Sequence, residues 1–258
     1  MMERVANPIP SPSLTKRVSG GIIGRSILYY PSLPSSNDMA RKLAQQGAAE
    51  GTVVLVGHQT EGKGRLGRRW VSTPGSSVLL SIILHPAPSQ LAQINMAAGL
   101  AVVGTIEKST SLRAAIKWPN DILINGKKVC GILMENLFEG GRLKAALLGI
   151  GLNIRLNVSC YEEISNIATS LSGESGMDLT PPEIVPSLLD ELDRVYRSLQ
   201  GGTDIYAEWL ARVETLGRFV RVRHGDSIEE GYLASIAPDG SATLQRSDGS
   251  QVTIFTGD

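Results

Sequence analysis

The sequence predicts an α+β fold: a mixed, mainly antiparallel sheet with helices, followed by a small C-terminal β-barrel of SH3-like size. Three observations carry this. Residues 122–150 read as strands joined by Asn125-Gly126 and by Glu139-Gly140-Gly141, an antiparallel meander that a doubly wound parallel fold does not contain. Two stretches, near residues 91–105 and 181–199, carry helical patterns long enough to cover a sheet face. From Gly217 the texture changes to short strands divided by His224-Gly225-Asp226, Pro238-Asp239-Gly240 and Ser247-Asp248-Gly249. The expected division is 1–213 and 214–258.

In order along the chain, residues 1–12 are Pro- and Ser-rich and are expected to be loosely ordered. Ile27-Leu28-Tyr29-Tyr30 is a short strand. Ser35-Ser36-Asn37-Asp38 then opens a helix with apolar Met39, Ala40, Leu43 and Ala44. Ser35 and Asp38 form a capping box, and Gly47 closes the helix. Capping alone explains the hydroxyls, although a helix N-terminus with spare donors also suits a polar ligand head. Residues 52–56 and 77–84 are apolar runs that read as buried strands. Leu91, Ile94, Ala98, Ala101, Val102 and Thr105 give the long helix one apolar face. Lys117-Trp118-Pro119-Asn120-Asp121 interrupts a strand, and strands return over 129–138 and 143–150. The run ends in Gly149-Ile150-Gly151-Leu152-Asn153, where alternate glycines on one face imply a group packed close to the backbone. A ligand and a tight strand crossing both satisfy that. Thr180-Pro181-Pro182-Glu183 caps a helix to about residue 199, and residues 204–213 read as a shorter one.

Composition excludes several classes. The 258 residues are 42% hydrophobic and 19% charged with a formal net charge of zero, so the chain lacks the basic excess that nucleic acid or an anionic membrane selects. Two unlike cysteines and three scattered histidines offer no metal cluster, and a reducing cytoplasm fits them. No apolar run approaches the roughly 20 residues of a membrane helix. The expectation is a cytoplasmic protein without nucleic-acid or membrane partners, monomeric or homodimeric.

The chemistry concentrates in residues 57–70. Gly62, Gly64 and Gly67 alternate with Lys63, Arg65, Arg68 and Arg69 and end on Trp70, directly after a strand. Glycines bring backbone N–H groups close to anionic oxygens, Arg supplies a donor fork, and Trp a flat apolar face. Gly62-x-Gly64-x-x-Gly67 matches the dinucleotide fingerprint literally. Residues 68–75 do not start a helix, however, and no acid follows about 20 residues on. Kinase and Walker loops fail because their partner motifs are absent.

Together these residues resemble the biotin–protein ligases, which activate biotin with ATP and attach it to a lysine of a carrier domain. The resemblance rests on Ser35-Ser36-Asn37, on the loop from Gly62 to Trp70, on Lys117-Trp118-Pro119-Asn120-Asp121, on Gly131-Ile132-Leu133 and on Gly149-Ile150-Gly151-Leu152-Asn153. It extends from about residue 25 to the C-terminus. It implies a class II aminoacyl-tRNA synthetase-like catalytic fold, with the K-W-P-N-D segment on a central strand, and the ligase-only form without a DNA-binding domain. Biotin would contact Ser35, Ser36, Asn37, Gln59, Lys63, Gly64, Arg65, Lys117 and Gly131. The adenylate would contact Lys63, Arg65, Arg68, Trp70, Asn120 and Asn153, with Lys117 and Arg65 acting on the reacting groups. Lys63 stands where many members carry Arg, and Ser36 where they carry Thr. ATP and Mg²⁺ are implied, and so is a biotin carboxyl-carrier domain of a carboxylase as partner; the metal ligands are not.

The chemistry agrees. A carboxylate attacking a phosphate brings anions together, and at about 4 Å and an effective dielectric of about 20 each unit pair repels by roughly 4 kcal/mol. Cations must converge there, and a closing loop must keep water from the anhydride. The glycine loop is expected to order by gripping that ligand. Lipoate or octanoate transfer on the same fold is the nearest alternative; a non-catalytic biotin sensor and a nucleic-acid binder are further ones.

Overall fold

The computed structural model describes residues 21–224, 227–255 and 257. Residues 1–12 and the Gly225-Asp226 part of one expected turn lie outside the described residues. The main sheet has seven strands: β1 (Ile27–Tyr30), β2 (Val53–Val56), β3 (Ser77–Leu84), β4 (Ala115–Lys117), β5 (Asp121–Ile124), β6 (Lys127–Glu139) and β7 (Arg142–Asn153). Their order is β1-β2-β3-β7-β6-β5-β4. Only the β1–β2 pair is parallel, so the sheet is mixed and mainly antiparallel as expected. Two glycine turns make the meander. Asn125 and Gly126 have φ of 51° and 75°, and Gly140 and Gly141 56° and 77°, the left-handed pairs that a two-residue hairpin of right-twisted strands requires.

Helices cover both faces. On one side lies α1 (Ser36–Gln45), whose N-cap Ser35 accepts from the Asp38 amide at 3.5 Å. Its Ala40 and Ala44 bury against Val54, Val56, Leu79, Ile83 and Leu147. On the other side lies α2 (Leu91–Ser109), itself covered by α4 (Pro181–Gln200) and α5 (Tyr206–Leu210). The expected single apolar face of α2 is therefore only part of the truth. Ile94, Met96, Leu100, Val103 and Ile106 are all buried, because the sheet takes one side and α4 the other. At the start of α4 the Glu183 carboxylate accepts from the Thr180 amide at 2.8 Å and its hydroxyl at 2.7 Å. A one-turn helix α3 (Leu171–Ser175) was not foreseen, and α5 is shorter than residues 204–213.

The C-terminal strands β8 (Phe219–His224), β9 (Ser227–Ile236), β10 (Ala242–Gln245) and β11 (Gln251–Ile254) form an antiparallel sheet ordered β11-β10-β9-β8. This is the small β unit expected. Its inner residues Val222, Leu233, Ile236 and Leu244 join the main core.

The K-W-P-N-D segment is corrected: it is not on a central strand. Lys117 ends β4, Asp121 begins β5 and Trp118-Pro119-Asn120 turns between them at the sheet margin, where residue 116 bonds outward to the backbone of 212 and 214. A Pro cannot donate to a ladder, which favours a turn or edge over an interior strand.

Strand alternation then decides what faces α1. Pairing sets Ser81 opposite Gly149, Gly149 opposite Leu133, and Gly151 opposite Gly131. Directly opposed residues share a face, so Ser81, Gly131, Leu133, Glu135, Gly149 and Gly151 all point to the α1 side. Between them their neighbours Ile82, Ile132, Leu148, Ile150 and Leu152 enter the larger core.

Candidate active site

A polar floor forms where α1 begins. Ser35, Ser36 and Asn37 are buried, although all are polar. Each needs a partner, since burying a polar group unpaired costs about 1–3 kcal/mol. The Ser36 amide donates to Gln59 Oε1 at 2.6 Å. Ser81, fully buried, joins Ser36 Oγ at 2.7 Å and also contacts Asn37 Oδ1. One hydroxyl carries one proton, so Ser81 donates to Asn37 and receives from Ser36. Asn37 Nδ2 passes the chain to Glu135 at 2.8 Å, which pairs with Arg41 at 3.2 Å.

Beside this floor the sheet is bare. A Cβ on Gly149 would lie 2.5 Å from Asn37 Oδ1, and one on Gly151 2.6 Å from the Trp70 indole. On Gly131 it would meet Trp70 at 2.9 Å and Lys128 at 3.1 Å. The alternate glycines thus admit side chains of the site itself, rather than a strand crossing. Trp70 packs against Gly131 and Gly151, its Nε1 buried without a hydrogen-bond partner. The space left beside the indole is ≈ 50 Å³.

The glycine loop closes over this cavity. It carries its own ladder: Gly64 N to Arg68 O at 2.7 Å and Trp70 N to Gly62 O at 2.8 Å. Leu66 takes a left-handed φ of 53° at the tip. An ordering ligand is therefore not its only support. The loop is also tied to the rest of the protein, Lys63 to Asp38 at 2.6 Å and Arg65 to Asn120 Oδ1 at 2.7 Å. Burial lowers the Arg65 pKa from its ordinary value, Asp121 opposing and Arg68 adding to that shift, and the guanidinium keeps its charge.

Ser35, Ser36, Asn37, Gln59, Lys63, Gly64, Arg65, Trp70, Asn120 and Gly131 thus line one cavity. Lys117, Arg68 and Asn153 are not in its lining. Lys117 pairs with Asp121 across the β4–β5 hairpin, so it shares the right face but stands exposed on the outermost strand. Arg68 is exposed on the loop's outer side. Asn153 is buried with both ends engaged, Oδ1 accepting from Ser77 at 3.3 Å and Nδ2 donating to Thr169 O at 3.0 Å. Besides Lys63, the lysine lining the cavity is Lys128. Its ammonium is 2.8 Å from Asp121 and 5.6 Å from the Trp70 ring centroid. In sequence Lys128 stands only beside the Asn125-Gly126 hairpin signal; the signal that could have found it is Asp121, a buried carboxylate requiring a cation. Ser81 passed as core, yet it is the one hydroxyl within Val78-Leu79-Leu80-Ser81-Ile82-Ile83-Leu84.

Known proteins are similar to this chain in sequence. A model of the biotin/lipoate A/B protein ligase family matches residues 29–153. The biotin–[acetyl-CoA-carboxylase] ligase of Paracoccus denitrificans is 34% identical over 226 residues, 84% of this chain and 93% of that protein. This chain belongs to the biotin–protein ligase family. The bifunctional ligase/repressor BirA of Bacillus subtilis is 35% identical over 233 residues, 88% of this chain and 72% of that protein. Among solved structures, the biotin protein ligase from Aquifex aeolicus in complex with biotin and ATP matches with a TM-score of 0.77 and 26% identity, over 90% of this chain and 97% of that one.

Around this ligase-family site, Cys130 is fully buried, and burial pushes its thiol far up, which makes it a packing residue. Among the described residues no group of three or more His, Cys, Asp or Glu side chains could hold a metal ion, and no helix is long and apolar enough to cross a membrane.

Proposed function

We propose that this chain activates biotin with ATP to biotinyl-5′-AMP and transfers the biotinyl group to a lysine of a biotin carboxyl-carrier domain of a carboxylase. The observation that carries this is a bare glycine floor placed between a buried polar cluster and two cations, Arg65 and Lys128. A flat polar ring head fits Ser35, Ser36, Asn37 and Gln59; its aliphatic tail fits along Gly131, Leu133 and Gly149; its carboxylate ends at Lys128 and Arg65. Ligand then replaces the Trp70 indole on the floor, and the indole closes over it. That exchange offers the orphan Nε1 an acceptor on the ligand.

In the reaction the biotin carboxylate attacks the α-phosphate and pyrophosphate leaves. Lys128, Arg65 and Lys63 carry positive charge to where negative charge gathers, at no reorganisation cost because Asp121, Asn120 and Asp38 already hold them in place. In the second step the acceptor amine forms the amide, AMP departs, and the same cations stabilise the leaving phosphate. Mg²⁺ would ride on the ATP polyphosphate, as this ion usually does, rather than in an all-protein cage. Lys117 and Arg68 are exposed outside the lining, and we assign them to the outer phosphates. Asn153 reads as structural. We read residues 1–213 as the catalytic unit and 214–258 as a supporting one.

The test is exchange of labelled pyrophosphate into ATP. Label should enter ATP only with biotin present. Exchange driven by lipoate or octanoate instead would move the chain to the sister activity, and binding of biotin with no exchange would make it a sensor.

A further inference from the structure

Arg65 is held by Asn120, and Asn120 belongs to a turn with three further anchors. Its Nδ2 donates to Ile132 O at 2.7 Å, and the Ile132 amide returns to Asn120 O at 3.0 Å. Asn95 of α2 donates to Pro119 O at 2.8 Å. The last anchor comes from the other sheet: the buried Trp118 indole donates Nε1 to Gly240 O at 2.9 Å, across 122 residues of chain. Gly240 sits in the β9–β10 turn at φ 85°, and that turn is itself fixed, Asp239 accepting from the Ser241 amide at 2.9 Å and its hydroxyl at 2.7 Å. A second cavity of ≈ 210 Å³ lies at this junction, walled by Arg65, Trp118, Asn120, Asp239, Gly240 and Phe255.

We infer that Trp118 is a positioning residue through which the C-terminal sheet sets the guanidinium of Arg65: Gly240 O fixes Trp118, the Trp118-Pro119-Asn120 turn fixes the Asn120 amide, and that amide orients Arg65. This rests on the ligase reading for its kinetic consequence but not for its structural one. It gives the C-terminal strands a function in holding the intermediate, which packing alone would not require. Trp118 need not touch ligand. Trp118→Phe removes the N–H while keeping an aromatic ring, though a smaller one, at this site; the turn is freed, so Arg65 would lose orientation rather than charge.

The experiment compares Trp118→Phe, Arg65→Ala and the double variant for release of preformed biotinyl-adenylate. Trp118→Phe should speed release by about 3- to 10-fold, the size of one neutral hydrogen bond. In the Arg65→Ala background it should add nothing. A multiplied effect in the double variant, or equal release from Trp118→Phe and wild type, overturns the inference and leaves Trp118 as core. Should the Phe variant fold poorly, Asp239→Ala loosens the same turn from the far side and should show the same dependence on Arg65. The Arg65 Nε–H resonance supplies a readout free of catalysis. It should shift or broaden in Trp118→Phe; an unchanged resonance refutes the coupling even if the wild type catalyses no biotin-dependent exchange, an outcome that would sink the ligase reading alone.

Discussion

The Lys128 ammonium stands 5.6 Å from the centroid of the Trp70 indole and 2.8 Å from the Asp121 carboxylate. A cation on an aromatic face with one anionic partner is oriented yet not fully neutralised, so it can receive a second anion. Lys128→Ala should lower the single-turnover rate of adenylate formation by about 10²- to 10³-fold, about 2.7–4 kcal/mol, as for loss of one preorganised donor. Lys117→Ala, on the exposed edge strand, should cost about 10-fold or less. The reverse ranking in rapid-quench measurements would return the role to Lys117.

Arg65 should matter more to retention than to chemistry. Its fork spans the loop and Asn120, and Arg65→Gly removes both the charge and the restraint on a segment already containing three glycines. Release of preformed adenylate should accelerate by about 10-fold or more, one charge-assisted hydrogen bond being worth about 1.5–3 kcal/mol. The freed anhydride should then label lysines on unrelated proteins. Dissociation at the wild-type rate would refute retention by Arg65.

Much of this was legible in sequence for physical reasons that can be named. Asn125-Gly126 and Gly140-Gly141 demand left-handed backbone, so the meander followed from residue type. The cavity lining followed because loop glycines, helix-start serines and strand glycines each have few explanations. What failed depended on distance across the fold. Lys128 acquires its role only when β5 brings Asp121 opposite Gly131 and Trp70 folds onto the sheet. Trp118 likewise read only as part of a segment interrupting a strand, because the β9–β10 turn that meets it lies far along the chain. The exposure of Lys117 was not legible, because a motif fixes neighbours in sequence, while exposure depends on which strand forms the edge.

Gly151 is a test of the floor. A methyl there would sit 2.6 Å from the present position of Trp70 Cε2, in the space the ligand takes over when it replaces the indole on the floor. Gly151→Ala should weaken biotin binding about 10-fold or more, since overpacking costs about 1–3 kcal/mol. Calorimetric titration giving unchanged affinity would show that ligand does not lie on Gly151.

Glu191 should control acid stability. Burial raises its pKa, but Lys108 and Arg194 outweigh that and hold the carboxyl below its usual range. A depressed folded pKa means that the unfolded chain binds the proton more readily. Its stabilisation is therefore present above the unfolded value of about 4.3 and is lost as pH falls through the folded value. Glu191→Gln should cost about 1–2 kcal/mol at neutral pH, discounted because both cations are half-exposed. Urea melts across the acid range should show a shallower pH dependence than wild type; identical slopes would assign acid sensitivity elsewhere.

Ser81 separates ligand recognition from packing. It is fully buried in a strand of aliphatic residues, and its hydroxyl is the one link between Ser36 and Asn37 in the polar floor. Replacing it with Ala removes a donor to Asn37 Oδ1 and an acceptor from Ser36, while deleting a single atom from the core. Little cavity is created, so the consequence is carried by unpaired polar groups rather than lost contact. Asn37 can then rotate away from the orientation that Glu135 and Ser81 jointly impose, and Ser36 is free to seek another acceptor. A ligand head that needs both groups in register loses affinity, by about 1–3 kcal/mol or roughly 5- to 150-fold. Stability should fall by a similar or smaller amount in thermal melts. The distinguishing quantity is biotin affinity measured below the melting range. If Ser81→Ala binds biotin as wild type does while melting earlier, the Ser36–Ser81–Asn37 chain serves the fold alone, and the polar head of the ligand must lie elsewhere.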